Sequence, residues 1–124
     1  MKNRFVPRAE WFRFFEEFSR RYDGWLVTVR VLHPSLGSQV EARDLPLEGV
    51  VSPADASGPI SVHLGGSAQS NLEHEIRSPR QVWIEISDAG IEEALGVLSE
   101  DGTKTIVEFR SPSLPETVDG IIRP

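Results

Sequence analysis

The chain contains no cysteine, which removes disulfide frameworks, thiolate zinc sites and cysteine nucleophiles together. That absence also fits a reducing compartment. No uncharged apolar run reaches the roughly 18 residues that a bilayer-spanning helix needs, so no membrane is expected as a partner. The opening residues MKNRFVPRAEWFRF begin basic but lack the apolar stretch of roughly 7–15 residues found in secretory leaders. A cytoplasmic protein is therefore expected. Internal repeats and low-complexity segments are also missing from the sequence.

Length and charge narrow the reading further. At 124 residues, with 39% apolar and 26% charged side chains, the chain suffices for one core and is too short for two. The net charge of −6 is uneven: residues 1–33 carry seven Lys/Arg against four Asp/Glu, and the remainder six against fifteen. An acidic body repels phosphate backbones, so nucleic acid is not expected to bind it.

The clearest element present is a helix. Trp11, Phe15, Phe18 and Tyr22 recur at helical spacing and Phe14 widens the stripe, while Arg13, Glu16, Glu17, Arg20 and Arg21 occupy the rest of the cylinder. Pro7 suits the first turn, and Asp23-Gly24 stops the helix because glycine enters the left-handed conformation without steric cost. Phe12 is left off the stripe.

Strand patterns follow. Trp25–His33 alternates with period two, and His33-Pro34-Ser35-Leu36-Gly37 reads as a turn. Ser38–Ala42 and Leu47–Val51 are extended, and Pro46 between them marks a bulge or corner. Ser52–Pro59 is a loop. Ile60–Leu64 and Leu72–Ile76 form a hairpin around GGSAQSN, Val82–Ile86 is a strand, and Glu92–Ser99 with Thr103–Arg110 flank the hairpin signal Glu100-Asp101-Gly102. A helix over Ile91–Leu98 competes, but Gly96 favours a strand from about Ala94. One helix and then six or seven short strands define an α+β fold: an N-terminal amphipathic helix followed by a small curled antiparallel sheet or an SH3-like or Sm-like β-barrel. On this reading residues 1–110 are a single domain and 111–124 an extended C-terminal tail.

The chemistry is sparse. A symmetric hairpin sets His63 opposite Glu73 and Val62 opposite His74, so His63 and His74 point to opposite faces and cannot share a metal. His74 alternates with Leu72 and Ile76 and belongs on the apolar side. It is either a buried, hydrogen-bonded imidazole or a pocket residue acting as acid, base or ligand contact. Leu64-Gly65-Gly66-Ser67 opens no helix and is read as a hairpin loop rather than a phosphate cradle. Glu92-Glu93 and Glu100-Asp101 lie at strand ends or turns and are read as solvating charges. Trp83 falls with Gln81 and Glu85 opposite Val82, Ile84 and Ile86. It is either the floor for the helix stripe or an exposed anchor for a partner. No catalytic residue, cofactor or metal is expected.

The stretch Trp11-Phe12-Arg13-Phe14-Phe15-Glu16-Glu17-Phe18-Ser19 through Gly24, then Glu41-Ala42-Arg43-Asp44-Leu45-Pro46-Leu47, Leu72-Glu73-His74-Glu75-Ile76, Pro79 with Val82, and Ser99-Glu100-Asp101-Gly102-Thr103 resembles a family of short bacterial proteins grouped as a domain of unknown function. The resemblance implies a bacterial, non-secreted protein and brings no activity, substrate or cofactor. Two functions stay open. One is a non-catalytic interaction module that binds itself as a homodimer, or another protein, through an edge strand or aromatic patch. The other is a small-molecule binder or weak enzyme with a pocket near His74.

Overall fold

The computed structural model describes residues 1–65 and 71–112; the tip of the GGSAQSN loop and the tail beyond Pro112 lie outside the described residues. The chain opens with a strand, β1 (Lys2–Val6), then a 3-10 turn (Arg8–Glu10) and helix α1 (Trp11–Arg21). Seven strands follow: β2 (Leu26–His33), β3 (Gly37–Val51), β4 (Ile60–Leu64), β5 (Leu72–Ile76), β6 (Pro79–Ile86), β7 (Glu92–Ser99) and β8 (Lys104–Arg110). They form an eight-stranded sheet in the order β1-β6-β7-β8-β2-β3-β4-β5, with every neighbouring pair antiparallel.

The α+β class and the antiparallel sheet match expectation, but the described strands form an open sheet and close into no barrel. Closure would seat β5 beside β6. That place is taken by β1, which pairs with β6 from Lys2↔Ile86 to Val6↔Val82 and leaves β5 as the opposite edge. The sheet is nonetheless strongly curled. β5 and β6 stand far apart in the strand order, yet only Arg77 and Ser78 connect them, a link spanning about 10 Å at most.

Helix α1 fills the concave side. Trp11, Phe15, Phe18 and Tyr22 are buried in one cluster with Val27 and Val29 of β2, Leu47 and Val50 of β3, Ile60, Val62 and Leu64 of β4, and inward residues of β6 to β8. Each such side chain contributes roughly 1.5–3 kcal/mol through removal from water. The α-helix starts only at Trp11, because Pro7 caps the 3-10 turn instead. The Trp11 indole N–H donates to the Val6 carbonyl at 2.9 Å, fixing the helix start to the end of β1. Gly24, at φ +82°, provides the expected stop. Phe12 remains exposed.

The Pro46 corner is real and decides how the helix docks. Asp44 adopts φ +53° beside a bulge opposite Val27–Val29. Strand β3 leaves β2 at the pair Leu26↔Pro46 and takes β4 as its partner from Leu47↔Leu64 onward. Past this point β3 has lost β2, and α1 moves into the vacated side. The Ser19 hydroxyl accepts from the Val50 N–H at 2.8 Å and donates to the Val50 carbonyl at 3.0 Å. Gly49 lies beside this contact, where a Cβ would meet the Ser19 Oγ at 3.5 Å, an ordinary van der Waals distance.

Segment 87–98 resolves as strand rather than helix. Ser87 and Ile91 close a turn around Gly90, at φ +84°, and β7 begins at Glu92, slightly before the expected start. At the far end of the helix the Tyr22 hydroxyl donates to Glu92, which also receives Arg4 at 3.1 Å and Arg21 at 3.4 Å. Burial first, and then the negative Glu92, push the Tyr22 phenol up to about 12.

Ser19→Ala is expected to cost about 1–3 kcal/mol in urea unfolding, because it strands the N–H and C=O of Val50 between helix and sheet. A loss below about 0.5 kcal/mol would show that water replaces the hydroxyl there.

Candidate functional site

The hairpin β4–β5 has the expected register: Leu64↔Leu72, His63↔Glu73, Val62↔His74 and Ile60↔Ile76. Ile60, Val62 and Leu64 belong to the core, so Leu72, His74 and Ile76 share the inward face while Glu73 and Glu75 point outward. His63 and His74 are accordingly on opposite faces. His33 is elsewhere again: its Nδ1 accepts from the Ser35 and Leu36 N–H groups at 3.1 and 3.3 Å, organising the β2–β3 turn. No group of three or more His, Asp or Glu that could hold a metal occurs among the described residues.

His74 is half-buried on the wall of a small cavity of about 180 Å³. Across from it stand Val31 of β2, Ser99 of β7, Asp101 and Thr103 of the β7–β8 turn, and Thr105 of β8. The curl of the sheet brings these strands opposite β5. Burial pulls the imidazole below its ordinary range, and the negative Glu41 partly opposes that. Glu73 and Glu75 do not orient the ring, because they lie on the other face.

A wider cavity of about 570 Å³ adjoins the first, and Glu75 and Arg77 line both. Its walls are the loop Ala56–Pro59, the corner Ser78–Pro79, Glu100 and Arg8. Arg8 is a strut: its guanidinium donates to the Ala56 carbonyl at 2.9 Å and the Pro79 carbonyl at 3.1 Å, and lies 4.3 Å from the centre of the Trp11 ring. Two non-glycine residues on this wall occupy the left-handed region, Ala56 at φ +58° and Ser78 at φ +49°, a strain of order 1–3 kcal/mol each. Reading the sequence did not reveal this cavity. Arg8 looked like part of the helix, and nothing in SPADASGP assigns a positive φ to alanine.

Trp83 does not support the helix, nor does it stand exposed. Val82 and Ile84 face the core, while Trp83 lies on the outer side at 5% exposure. Its row runs Phe5↔Trp83↔Gly96 across β1, β6 and β7. The Phe5 ring centroid is 5.6 Å away, and the indole lies over Gly96 so closely that a Cβ there would come within 2.1 Å of it. The indole N–H donates to Glu85 at 3.1 Å. Phe5, at 54% exposure, is the part of this pair that meets solvent.

The model of the family of unknown function DUF5335 matches residues 2–117, nearly the whole chain. The chain belongs to that family. It is also similar to an uncharacterised protein of Aquifex aeolicus (strain VF5), with 25% identity over 116 residues covering 93% of this chain and 97% of that relative. No solved structure matches. The family and its bacterial relative agree with the resemblance read from the aromatic helix and the LEHEI strand, and neither carries an assigned activity. No helix among the described residues of this DUF5335 member is long and apolar enough to cross a membrane.

Two measurements probe these sites. His74 should titrate by NMR with a midpoint below 6.5. Because its folded pKa is depressed, stability is full above pH 6.5 and falls as the pH drops toward that midpoint. A midpoint above 6.5 would mean the ring is solvated or paired with a carboxylate. Gly96→Ala should lower stability by about 1–3 kcal/mol by driving a methyl group into the Trp83 ring, and calorimetry would record the loss as a reduced Tm; an unchanged Tm would show that the indole moves aside freely.

Proposed function

We propose that this protein is a non-catalytic interaction module that binds an extended polypeptide along the outer edge of β5. The observation carrying this reading is the open edge itself. Among the described residues β5 ends the sheet, its backbone has a strand on one side only, and the two adjoining cavities run beside it. Edge strands of this kind expose a row of N–H and C=O groups that a further strand can complete. The acidic body favours a protein over a nucleic acid as partner, and the cysteine-free composition favours the cytoplasm. Residues 1–110 act in this reading as one binding domain, with 111–124 as a tail.

A second reading, small-molecule binding at His74, draws support from the half-buried imidazole with its lowered pKa beside hydroxyls of Ser99, Thr103 and Thr105. His74 does not line the wider cavity of about 570 Å³, and the cavity that it does line, about 180 Å³, falls short of the roughly 300 Å³ at which ordinary ligand pockets begin. The edge is therefore preferred.

Selection of binders from a random peptide library, followed by NMR mapping, separates the two readings. The expected outcome is extended peptides that shift and protect the amides of residues 72–76. Binders mapping to other surfaces, or none at all, would overturn the edge reading. A small molecule that shifts the His74 ring alone would favour the pocket.

A further inference from the structure

We propose that the strand accepted by β5 carries lysine or arginine at alternate positions, and that it comes from a different protein rather than from a second copy of this chain. This rests on the edge reading above and specifies the partner's chemistry. β5 reads Leu72-Glu73-His74-Glu75-Ile76, with Glu73 and Glu75 outward and exposed. An added strand sets every second side chain directly beside these two carboxylates, at the cross-strand distance where opposite charges attract and like charges repel. Its other side chains face inward beside Leu72, which is 37% exposed, the half-buried His74 and Ile76. Alternating cationic and apolar residues match both sides.

Self-pairing fails on the same geometry. Antiparallel pairing of β5 with β5 of a second copy, in the register that joins all five residues, sets Glu73 against Glu75 twice. Pairing with β1, the other edge among the described strands, fails differently. Lys2 and Arg4 share the inward face of β1 with Val6, and Arg4 is already held by Glu92 at 3.1 Å. A continuous sheet would therefore bring Asn3 and Phe5, neither of them a cation, alongside Glu73 and Glu75.

One residue opposes the partner. Arg77 donates to Glu75 at 3.2 Å and is itself 85% exposed, so an incoming cation competes with it for that carboxylate. Removing Arg77 is expected to strengthen binding, which no general loss of fold would do.

The test uses the full chain and two synthetic peptides, one alternating lysine with valine and one alternating glutamate with valine, titrated at low salt with β5 amide shifts as the readout. The lysine peptide should bind at residues 72–76 and weaken as salt is raised, and the glutamate peptide should not bind. Glu73→Lys with Glu75→Lys should weaken the lysine peptide at least about tenfold and create binding of the glutamate peptide, while Arg77→Ala should tighten the lysine peptide. Equal binding of both peptides at β5 would overturn the charge proposal and leave the edge reading intact. Binding of neither at residues 72–76 would overturn both. A dimer in light scattering that dissociates on Glu73→Lys would overturn the choice of a foreign partner.

Discussion

Strand β3 serves two sheet segments, and the molecule is organised around the point where it changes partner. Its pairing with β2 ends at Pro46 and its pairing with β4 begins at Leu47, and the chain bends there at Asp44–Pro46, where a residue at φ +53° and a proline without an N–H interrupt the ladder. Leu47 is still bonded to Gly24 and Trp25, and beyond it the bend leaves one side of the strand, at Val50, without a strand partner among the described residues. Backbone groups cannot remain bare next to a core, and the Ser19 hydroxyl meets both the donor and the acceptor of Val50. The helix is thus held by its aromatic stripe and by a polar contact that replaces a missing strand. From this one bend follow the concave interior, the position of α1 within it and the meeting of β5 with the ends of β2, β7 and β8.

Several of these features could be read in the sequence because local pattern determined them. The spacing of Trp11, Phe15, Phe18 and Tyr22 named the buried stripe. Period two with a symmetric loop fixed the register of β4 and β5, and so the face of His74. Pro46 marked the corner. Other features depend on partners remote in the chain. Lys2–Val6 has charges at alternate positions and no strong strand pattern; pairing with β6 alone makes it a strand. With that strand unseen, closure into a barrel looked economical. The alternation put Trp83 on the correct face but said nothing of its floor, which is the missing side chain of Gly96 and the ring of Phe5.

The candidate site divides in the same way. His74 was found from its neighbours in sequence. The wider cavity beside it could not be, because its wall is assembled from Arg8, a loop with alanine in a left-handed conformation, and the corner between β5 and β6. Arg8 bridges the Ala56 and Pro79 carbonyls, 48 and 71 residues away. A hydrogen-bonding strut of this length leaves no periodic trace in sequence. The result is a fold whose interior was largely legible and whose edges were not, and on the proposed reading the edges are where it acts.

The placement of β1 has a consequence for the order in which the molecule is built. Strand β1 leaves the ribosome ahead of the other strands of this sheet and has its partner in β6, so Val6 waits for Val82. Meanwhile β2, β3 and β4 can join as successive local hairpins. Loop closure over so long a stretch is slow compared with hairpin formation. Phe5, and with it the cover over Trp83, is therefore expected to arrive late. Until then the nascent chain presents a bare tryptophan on the flank that the finished protein hides, and the β2–β8 pairing, which reaches equally far from Leu26 to Arg110, is the other closure that must wait.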